Sequence, residues 1–444
     1  MAISLRQMRS GAIWTVGTFG VSVIARFGTN VVLARLLAPE IFGIMVIVNS
    51  LRTAVEQITD VGIGQNIIYN RNGDAPNFQS TAWTLQAARG LLLFIVLVAF
   101  TVPLSYFFEL PILVYILPVA GLACLISGLT STAVFLLDRS LQFRKRNLFD
   151  LTLDVFGSVI HIVFAYLSPT VWALVWGFFT QSFARAASSH FLSGASHRFA
   201  FNKAYARQIL TFGQWIFVSS LIYFASTNFD RLYLGKVAAL SIVGTYGVAR
   251  SISELSAMLV VRVGALVVFP IVSSASTSPR MTLRQHLAPL RFKSLLALAV
   301  PMAIGIALSD IVIKTLYDER YHDAAWMLPI LMLGAWTFAV CSINESILLG
   351  LGKPSYGTMG NVVKLVGLVV GIPLAFSLQG VHGVVVVIAA SELVRYFVLL
   401  LGQIREKITF ALQDFLATLV LAALISVTEA ARWYWGLPSV FHVF

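Results

Sequence analysis

The sequence predicts an all-α integral membrane protein: two six-helix lobes related by a pseudo-twofold axis along the membrane normal, plus about one extra C-terminal helix. Three observations carry this prediction. The first concerns solvent. Of the 444 residues 58% are hydrophobic and only 11% charged, with a mean hydropathy of +0.85, whereas a soluble chain keeps about a quarter of its residues charged. Too little polar surface is left to cover a water-soluble globule. The second is length. A spanning helix needs about 20 mostly apolar residues, and such runs occur near 11–34, 43–66, 81–108, 112–137, 150–167, 170–189, 209–234, 243–271, 294–316, 325–350, 357–378 and 381–402, with a thirteenth near 410–431. The third is a weak internal repeat. At a shift of 201 residues Trp14 meets Trp215, Leu33 meets Leu234, Ala38 meets Ala239, Ile41 meets Ile242, Gly43 meets Gly244 and Ser50 meets Ser251. Both segments occupy a first-helix, outer-loop, second-helix slot, and six helices per half is even, so both halves insert in the same orientation around a central site. Chance similarity between apolar segments is the alternative. The implied divisions are 1–200, 201–404 and 405–444.

The N-terminal stretch MAISLRQMRSGAIWTVGTFGVSVIARF is too long for a secretory leader, contains Arg26 and lacks an A-x-A cleavage site, so it reads as a retained first span. Cys124 and Cys341 both lie in apolar runs without CxxC spacing, which argues against a disulfide framework or a metal site. The net charge of +12 would suit nucleic acid if it were clustered on a polar face, but the bases sit mainly in short loops. With the N-terminus inside, seventeen loop bases fall on the cytoplasmic side, among them Arg71, Arg139, Arg144, Arg146, Arg291 and Arg405, against Arg35, Lys236, Arg320 and Arg432 outside. That is a strong positive-inside bias, and no nucleic-acid partner is expected. Outer loops such as FELP and LSPT leave no room for an extramembrane domain.

Ten bases remain within the predicted spans: Arg26, Arg52, Arg89, Arg185, Arg231, Arg250, Arg262, Lys314, Lys364 and Arg395. The acids there are Glu56, Asp60, Asp154, Asp230, Glu254, Asp310, Glu345 and Glu392. One charge at the bilayer centre costs about 2.5–3.5 kcal/mol on insertion scales, so these groups line a wet cavity or pair with each other. In NSLRTAVEQITDVG (49–62), Arg52, Glu56 and Asp60 recur at steps of four and share one helical stripe. Arg250 with Glu254, Glu392 with Arg395, and Asp310 with Lys314 repeat the device. Internal ion pairing is the favoured reading for Asp310–Lys314 and Asp230–Arg231, near the outer ends. A cavity is favoured for Arg52 and Arg250, which lie at similar depth in corresponding helices. The candidate substrate-binding cations are Arg26, Arg52, Arg250, Arg262, Lys364 and Arg395. Glu56, Asp60, Glu254 and Glu392 are the candidate ion-coupling or supporting carboxylates. His161 reads as a satisfied core histidine.

Catalytic chemistry is missing. Gly235-Lys236 and Gly352-Lys353 lack the earlier glycine of a P-loop, and there is no HExxH or GxSxG. No enzyme activity, catalytic residue or bound cofactor is expected; a polar, partly cationic bundle interior describes a transporter.

Five segments carry a family resemblance: LARLLAPEIFG (33–43), DVGIGQNII (60–68), NFDRLYLGKVAALSIVGTYGVARSI (228–252), IKTLYDERYHDAAWML (313–328) and LLGLGKP (348–354). In this order they resemble the polysaccharide transporter branch, the Wzx-type flippases, of the multidrug/oligosaccharidyl-lipid/polysaccharide exporter superfamily. The resemblance covers about residues 5–400. It implies a lipid-linked oligosaccharide, a polyprenyl-pyrophosphate glycan, carried from the inner to the outer leaflet of the bacterial inner membrane by alternating access between two six-helix lobes; coupling to an H+ or Na+ gradient is expected separately, from the buried carboxylates beside arginine. A polysaccharide polymerase and a chain-length regulator would be partners beside membrane lipid. Pyrophosphate would explain intramembrane arginines, because guanidinium binds phosphate oxygens bidentately. Related lipid II flippases carry cavity arginines on the first, second and eighth helices, where this chain has Arg26, Arg52 and Arg262 or Arg250. Many members have fourteen helices; here RWYWGLPSVFHVF follows the thirteenth run, with Trp433, Tyr434 and Trp435 suited to an interface belt.

A cation-coupled drug or metabolite antiporter of the same superfamily is the alternative; it would place a dominant carboxylate in the first helix, where this chain has Arg26 and no acid. A glycosyl polymerase or ligase would need a long catalytic outer loop. A scaffold without transport would leave the central charges unexplained. The topology is directly testable: single cysteines placed in the 139–146 or 280–293 loops should resist an impermeant thiol reagent added outside intact cells. Ready labelling of both would overturn the orientation.

Overall fold

The computed structural model describes residues 5–192, 194, 195, 197–263, 272 and 279–441, without the side chains of 5–16, 212–216, 256, 257 and 259–263. Every regular element among them is helical. The chain divides into two compact units, Met1–Phe224 with Gly235–Leu240, and Ala225–Leu234 with Ser241–Phe444.

The first unit contains α1 (Leu5–Leu36), α2 (Pro39–Ile58), α3 (Ile63–Tyr69), α4 (Pro76–Ala99), α5 (Thr101–Phe108), α6 (Leu113–Gly128), α7 (Ala133–Arg139), α8 (Phe143–Leu167) and α9 (Val171–Ser189). α10 (Lys203–Val237) contributes to both units. The second unit contains α11 (Leu240–Val263), α12 (Arg280–Ala307), α13 (Ser309–Leu316), α14 (Ala324–Gly350), α15 (Ser355–Arg405) and α16 (Ala411–Tyr434). Among the described residues eight helices are long and apolar enough to cross a membrane, nine if the bent pair α6–α7 is one span. The protein is a multi-span helical membrane protein. Residues 264–271 of the predicted eighth run lie outside the described residues.

Local sequence accounts for where the helices begin. Pro39 and Pro76 open α2 and α4 at the position where a missing N–H costs nothing. Asn202 caps α10, its Oδ1 accepting from Ala204 N at 2.9 Å and Tyr205 N at 3.2 Å. α4 and α6 meet at Gly90 and Gly128, where an added Cβ on either would press into the other's backbone. Gln86 Nε2 then reaches Gly128 O at 3.2 Å and Thr130 O at 2.8 Å, satisfying carbonyls freed where α6 breaks.

Several predicted runs are interrupted or joined. The 43–66 run breaks between α2 and α3 at Gly62, which is left-handed (φ 62°). The 81–108 run bends at Phe100 and the 294–316 run at Leu308. The 357–378 and 381–402 runs are two helices joined within α15 at Gly380, whose φ of 60° and ψ of −141° are not helical. Only glycine adopts that conformation readily. The stretch doubles back there: Gly371 faces Val387, Gly360 faces Arg395 and Lys364 meets Glu392, pairs arranged symmetrically about the turn.

Other expectations need correction. The 280–293 segment is the start of α12 rather than a loop, and Arg291 is buried, donating to Asp414 and, at 2.7 Å, to Asn344 Oδ1. Arg432, assigned to an outer loop, is also buried and grips Asp310 through both Nη atoms at 2.9 and 2.8 Å. Asp310 therefore pairs with Arg432 and not with Lys314, which is exposed. A partner on another helix wins because Arg432 also satisfies the Ala307 and Pro438 carbonyls. After α16 the described tail residues 435–441 form turns, not a further half-helix.

The Arg291–Asp414 pair, from within α12 to the first turn of α16, and the Asp310–Arg432 pair, from α13 to the last turn of α16, clamp α16 into its unit. Breaking a buried pair from one side costs about 3–5 kcal/mol. Asp414→Ala should markedly lower the unfolding temperature of detergent-purified protein, and the double variant Arg291→Met, Asp414→Leu should recover most of the loss. An equal loss in both would show that the stranded charge is not what destabilises.

Candidate functional site

Each unit holds its own set of intramembrane charges. In the first unit the α2 stripe forms as spaced: Arg52 Nη1 donates to Glu56 Oε1 at 2.6 Å, one helical turn away. The Phe178 ring on α9 lies 4.5 Å from the Arg52 guanidinium carbon, a favourable cation–π placement, while Arg52 Nε is buried without a hydrogen-bond partner. The Cys124 thiol on α6 approaches the same Glu56 oxygen at 3.6 Å. Asp60 does not join the Arg52 pair; its Oδ1 accepts the Gly62 N–H at 3.0 Å in the helix break. Arg26 is more than half exposed and binds Asp154 on α8 at 2.9 Å, with Ser22 donating to the same carboxylate.

In the second unit Arg250 Nε lies 3.0 Å from Glu254 Oε1 and 3.8 Å from Asp230 Oδ2. Glu254 accepts more closely from Arg231 Nη2, at 2.6 Å, and the Tyr246 hydroxyl donates to Asp230. This corrects the expected Asp230–Arg231 pair. Adjacent residues on a helix point about 100° apart, so each of the two turns to a different neighbour on α11. Lys364, Glu392 and Arg395 come together as a buried cluster. Lys364 Nζ meets Glu392 Oε1 at 2.6 Å, Arg395 Nη1 meets the other oxygen at 3.4 Å, and Arg395 Nη2 also binds Glu345. All three are under 7% exposed, so their charges are spent on one another. The side chain of Arg262 lies outside the described residues.

The geometry thus separates the candidates. Arg52, Glu56, Arg250 and Glu254 form one i,i+4 pair in each unit, partly open, while the Lys364–Glu392–Arg395 cluster is closed. Arg89 was counted within a span but given no role; from α4 it donates to Glu56 O and Thr59 Oγ1. Nothing in the spacing of its own helix signals this, because both partners lie at the end of α2, Glu56 in its last turn and Thr59 just beyond it. His161 behaves as expected, its Nδ1 on Gly157 O at 2.7 Å and its ring against Gly177.

Residues 32–326 match the family described as "Polysaccharide biosynthesis protein". The chain belongs to that family. It is 23% identical over 345 residues to the succinoglycan biosynthesis transport protein ExoT of Rhizobium meliloti (strain 1021), covering 77% of this chain and 68% of the relative. It is 20% identical over 411 residues to the lipopolysaccharide biosynthesis protein WzxC of Escherichia coli (strain K12), covering 90% and 82%. In fold it matches the inward closed conformation of the lipid II flippase MurJ with a TM-score of 0.74 at 16% identity, over 94% of this chain and 91% of that one. The family member described here is a membrane transporter of polysaccharide biosynthesis, with the fold of the superfamily to which the sequence pointed, and not an enzyme.

The closed cluster makes a ranked prediction. Glu392→Ala strands two buried cations together and should cost about 3–5 kcal/mol. Lys364→Met leaves Glu392 with Arg395 and should cost about 1–3 kcal/mol, one charged hydrogen bond. Thermal unfolding in detergent reads the order; the reverse ranking would show that Lys364 does not depend on Glu392.

Proposed function

We propose that this transporter is a flippase, carrying a lipid-linked oligosaccharide, a polyprenyl-pyrophosphate glycan, from the cytoplasmic to the outer leaflet of the bacterial inner membrane by alternating access. Its product feeds cell-surface polysaccharide synthesis, the N-terminus is cytoplasmic, and a polymerase and chain-length regulator of the same pathway are its partners. The single observation that carries the reading is the repeated Arg–Glu step: Arg52 with Glu56 in one unit and Arg250 with Glu254 in the other. Arg52 is held by one carboxylate and Arg250 by one at 3.0 Å with Asp230 at 3.8 Å, so each planar fork keeps donors for a phosphate oxygen, and a pyrophosphate offers paired anionic oxygens that guanidinium binds bidentately. The names of the relatives, in succinoglycan and lipopolysaccharide biosynthesis, and the structural likeness to a lipid II flippase support the same substrate class.

When the arginine of either pair turns to pyrophosphate, Glu56 loses its arginine and Glu254 keeps only Arg231. A carboxylate that loses an arginine inside a membrane favours taking up a proton or Na+, which makes Glu56 and Glu254 proposed coupling groups; Asp60, 4.0 Å from Arg89 rather than on the Arg52 pair, is the third. Arg26, on the exposed edge of its pair, is an accessory cation.

Arg52→Lys keeps the charge but loses the fork, so glycan export should fall partly; Arg52→Ala should abolish nearly all of it. In the same export assay, Gln or Asn at position 56, 60 or 254 should alter the dependence on an ion gradient in at least one case. Wild-type export by the paired variant Arg52→Met, Glu56→Leu would end the proposal that Arg52 binds substrate.

A further inference from the structure

The second predicted span is interrupted within its apolar run, and an arginine from another helix closes the interruption. α2 ends at Ile58 and α3 starts at Ile63, with left-handed Gly62 between them. A helix end leaves carbonyls without intrahelical donors, and in hydrocarbon those groups need partners from the protein. Thr59 folds back, its N and Oγ1 on Val55 O at 3.2 and 2.9 Å, and Asp60 N reaches Gln57 O at 3.2 Å. Arg89 on α4 completes the cap: Nη2 donates to Glu56 O at 2.5 Å and Nε to Thr59 Oγ1 at 3.1 Å. A cation at this end also matches the helix dipole. The remaining Nη1 lies 4.0 Å from Asp60 Oδ1.

Two further facts give the cap a consequence. The residue whose carbonyl Arg89 holds is the residue whose carboxylate holds Arg52. And α3 is pinned at its far end by Arg139 of α7, whose Nη1 donates to Ile67 O, Ile68 O and Asn70 O at 2.8, 2.8 and 2.7 Å. With both flanks held, residues 59–62 form the break between them, and the Arg89 fork lies against it.

We propose that Arg89 is a positioning residue for transport. By capping α2 through the Glu56 carbonyl and the Thr59 hydroxyl, it fixes the direction of the Glu56 carboxylate and so presents Arg52 to the substrate's phosphate; Asp60 is its alternative partner when the break opens. This rests on the reading of Arg52 as a substrate cation. A lysine at position 89 keeps the charge, but as a point charge it does not span the acceptors that the planar fork joins.

The test uses the purified full-length protein in proteoliposomes and a fluorescent short-chain polyprenyl-pyrophosphate disaccharide as probe, with flipping rate measured against probe concentration. Arg89→Lys should raise the half-saturating concentration about tenfold, the size of one lost charged hydrogen bond, while the maximum rate per folded protein changes little. Placed on Arg52→Ala, it should add nothing, because both act through one contact. Thr59→Val, which removes one acceptor and no charge, should shift half-saturation in the same direction and keeps the test open should Arg89→Lys fail to fold. An unchanged half-saturation in the Arg89 and Thr59 variants, with Arg52→Ala still defective, would overturn the positioning role alone. A wild-type Arg52→Ala would overturn both this role and the phosphate-binding reading.

Discussion

No water reaches the hydrocarbon core, so a guanidinium drawn into it has to bring or find its own acceptors. That constraint organises this molecule. Arg52, Arg250 and Arg395 each have a carboxylate on their own helix within a turn. Arg26, Arg231 and Arg432 find theirs on another helix. Arg89 and Arg139 go further and use backbone carbonyls exposed where helices end. The broken second span exists because those two side chains supply what the backbone lost.

The same constraint sets the terms for a ligand. Among the described residues, Arg26, Arg52, Arg250, Lys364 and Arg395 are each already engaged by a carboxylate. On the proposed reading, binding is an exchange in which phosphate oxygens replace a carboxylate at the guanidinium, and the net affinity is the small difference between two strong interactions. Exchange suits a carrier, which has to release its cargo on the far side. The contrast between the partly open Arg52–Glu56 pair and the closed Lys364–Glu392–Arg395 cluster follows the same logic. One carboxylate facing one arginine can be displaced, whereas one carboxylate shared by two cations and backed by Glu345 is held from several sides.

What was legible in the sequence was whatever helical geometry alone determines. Spans show as apolar runs, and partners four residues apart fall on one face, so Arg52–Glu56 and Arg250–Glu254 could be read directly. Pairs that depend on which helices pack together could not. Asp310 has a lysine four residues on, yet it takes Arg432, 122 positions away. Arg291 looked like an ordinary loop base because the helix that buries it, α16, is distant in sequence. Arg89 and Arg139 were invisible as caps because their acceptors are backbone atoms, which carry no residue signature. The break at Gly62 was hidden by apolar residues on both sides, and the reversal at Gly380 showed only as a seam between two runs.

The clamp between α12 and α16 has a consequence for how the chain is made. Arg291 and Asp414 are separated by 123 residues. At about 5–20 residues per second, synthesis reaches Asp414 about 6–25 s after Arg291 has been added to the chain. Over that interval α12 carries a cation whose partner does not yet exist, and Asp310 on α13 waits similarly for Arg432. Arg291 and Asp310 therefore meet their ionic partners only once α16 has been made. A truncated chain ending before α16 would leave those charges permanently unpaired in the bilayer and expose them to membrane quality control.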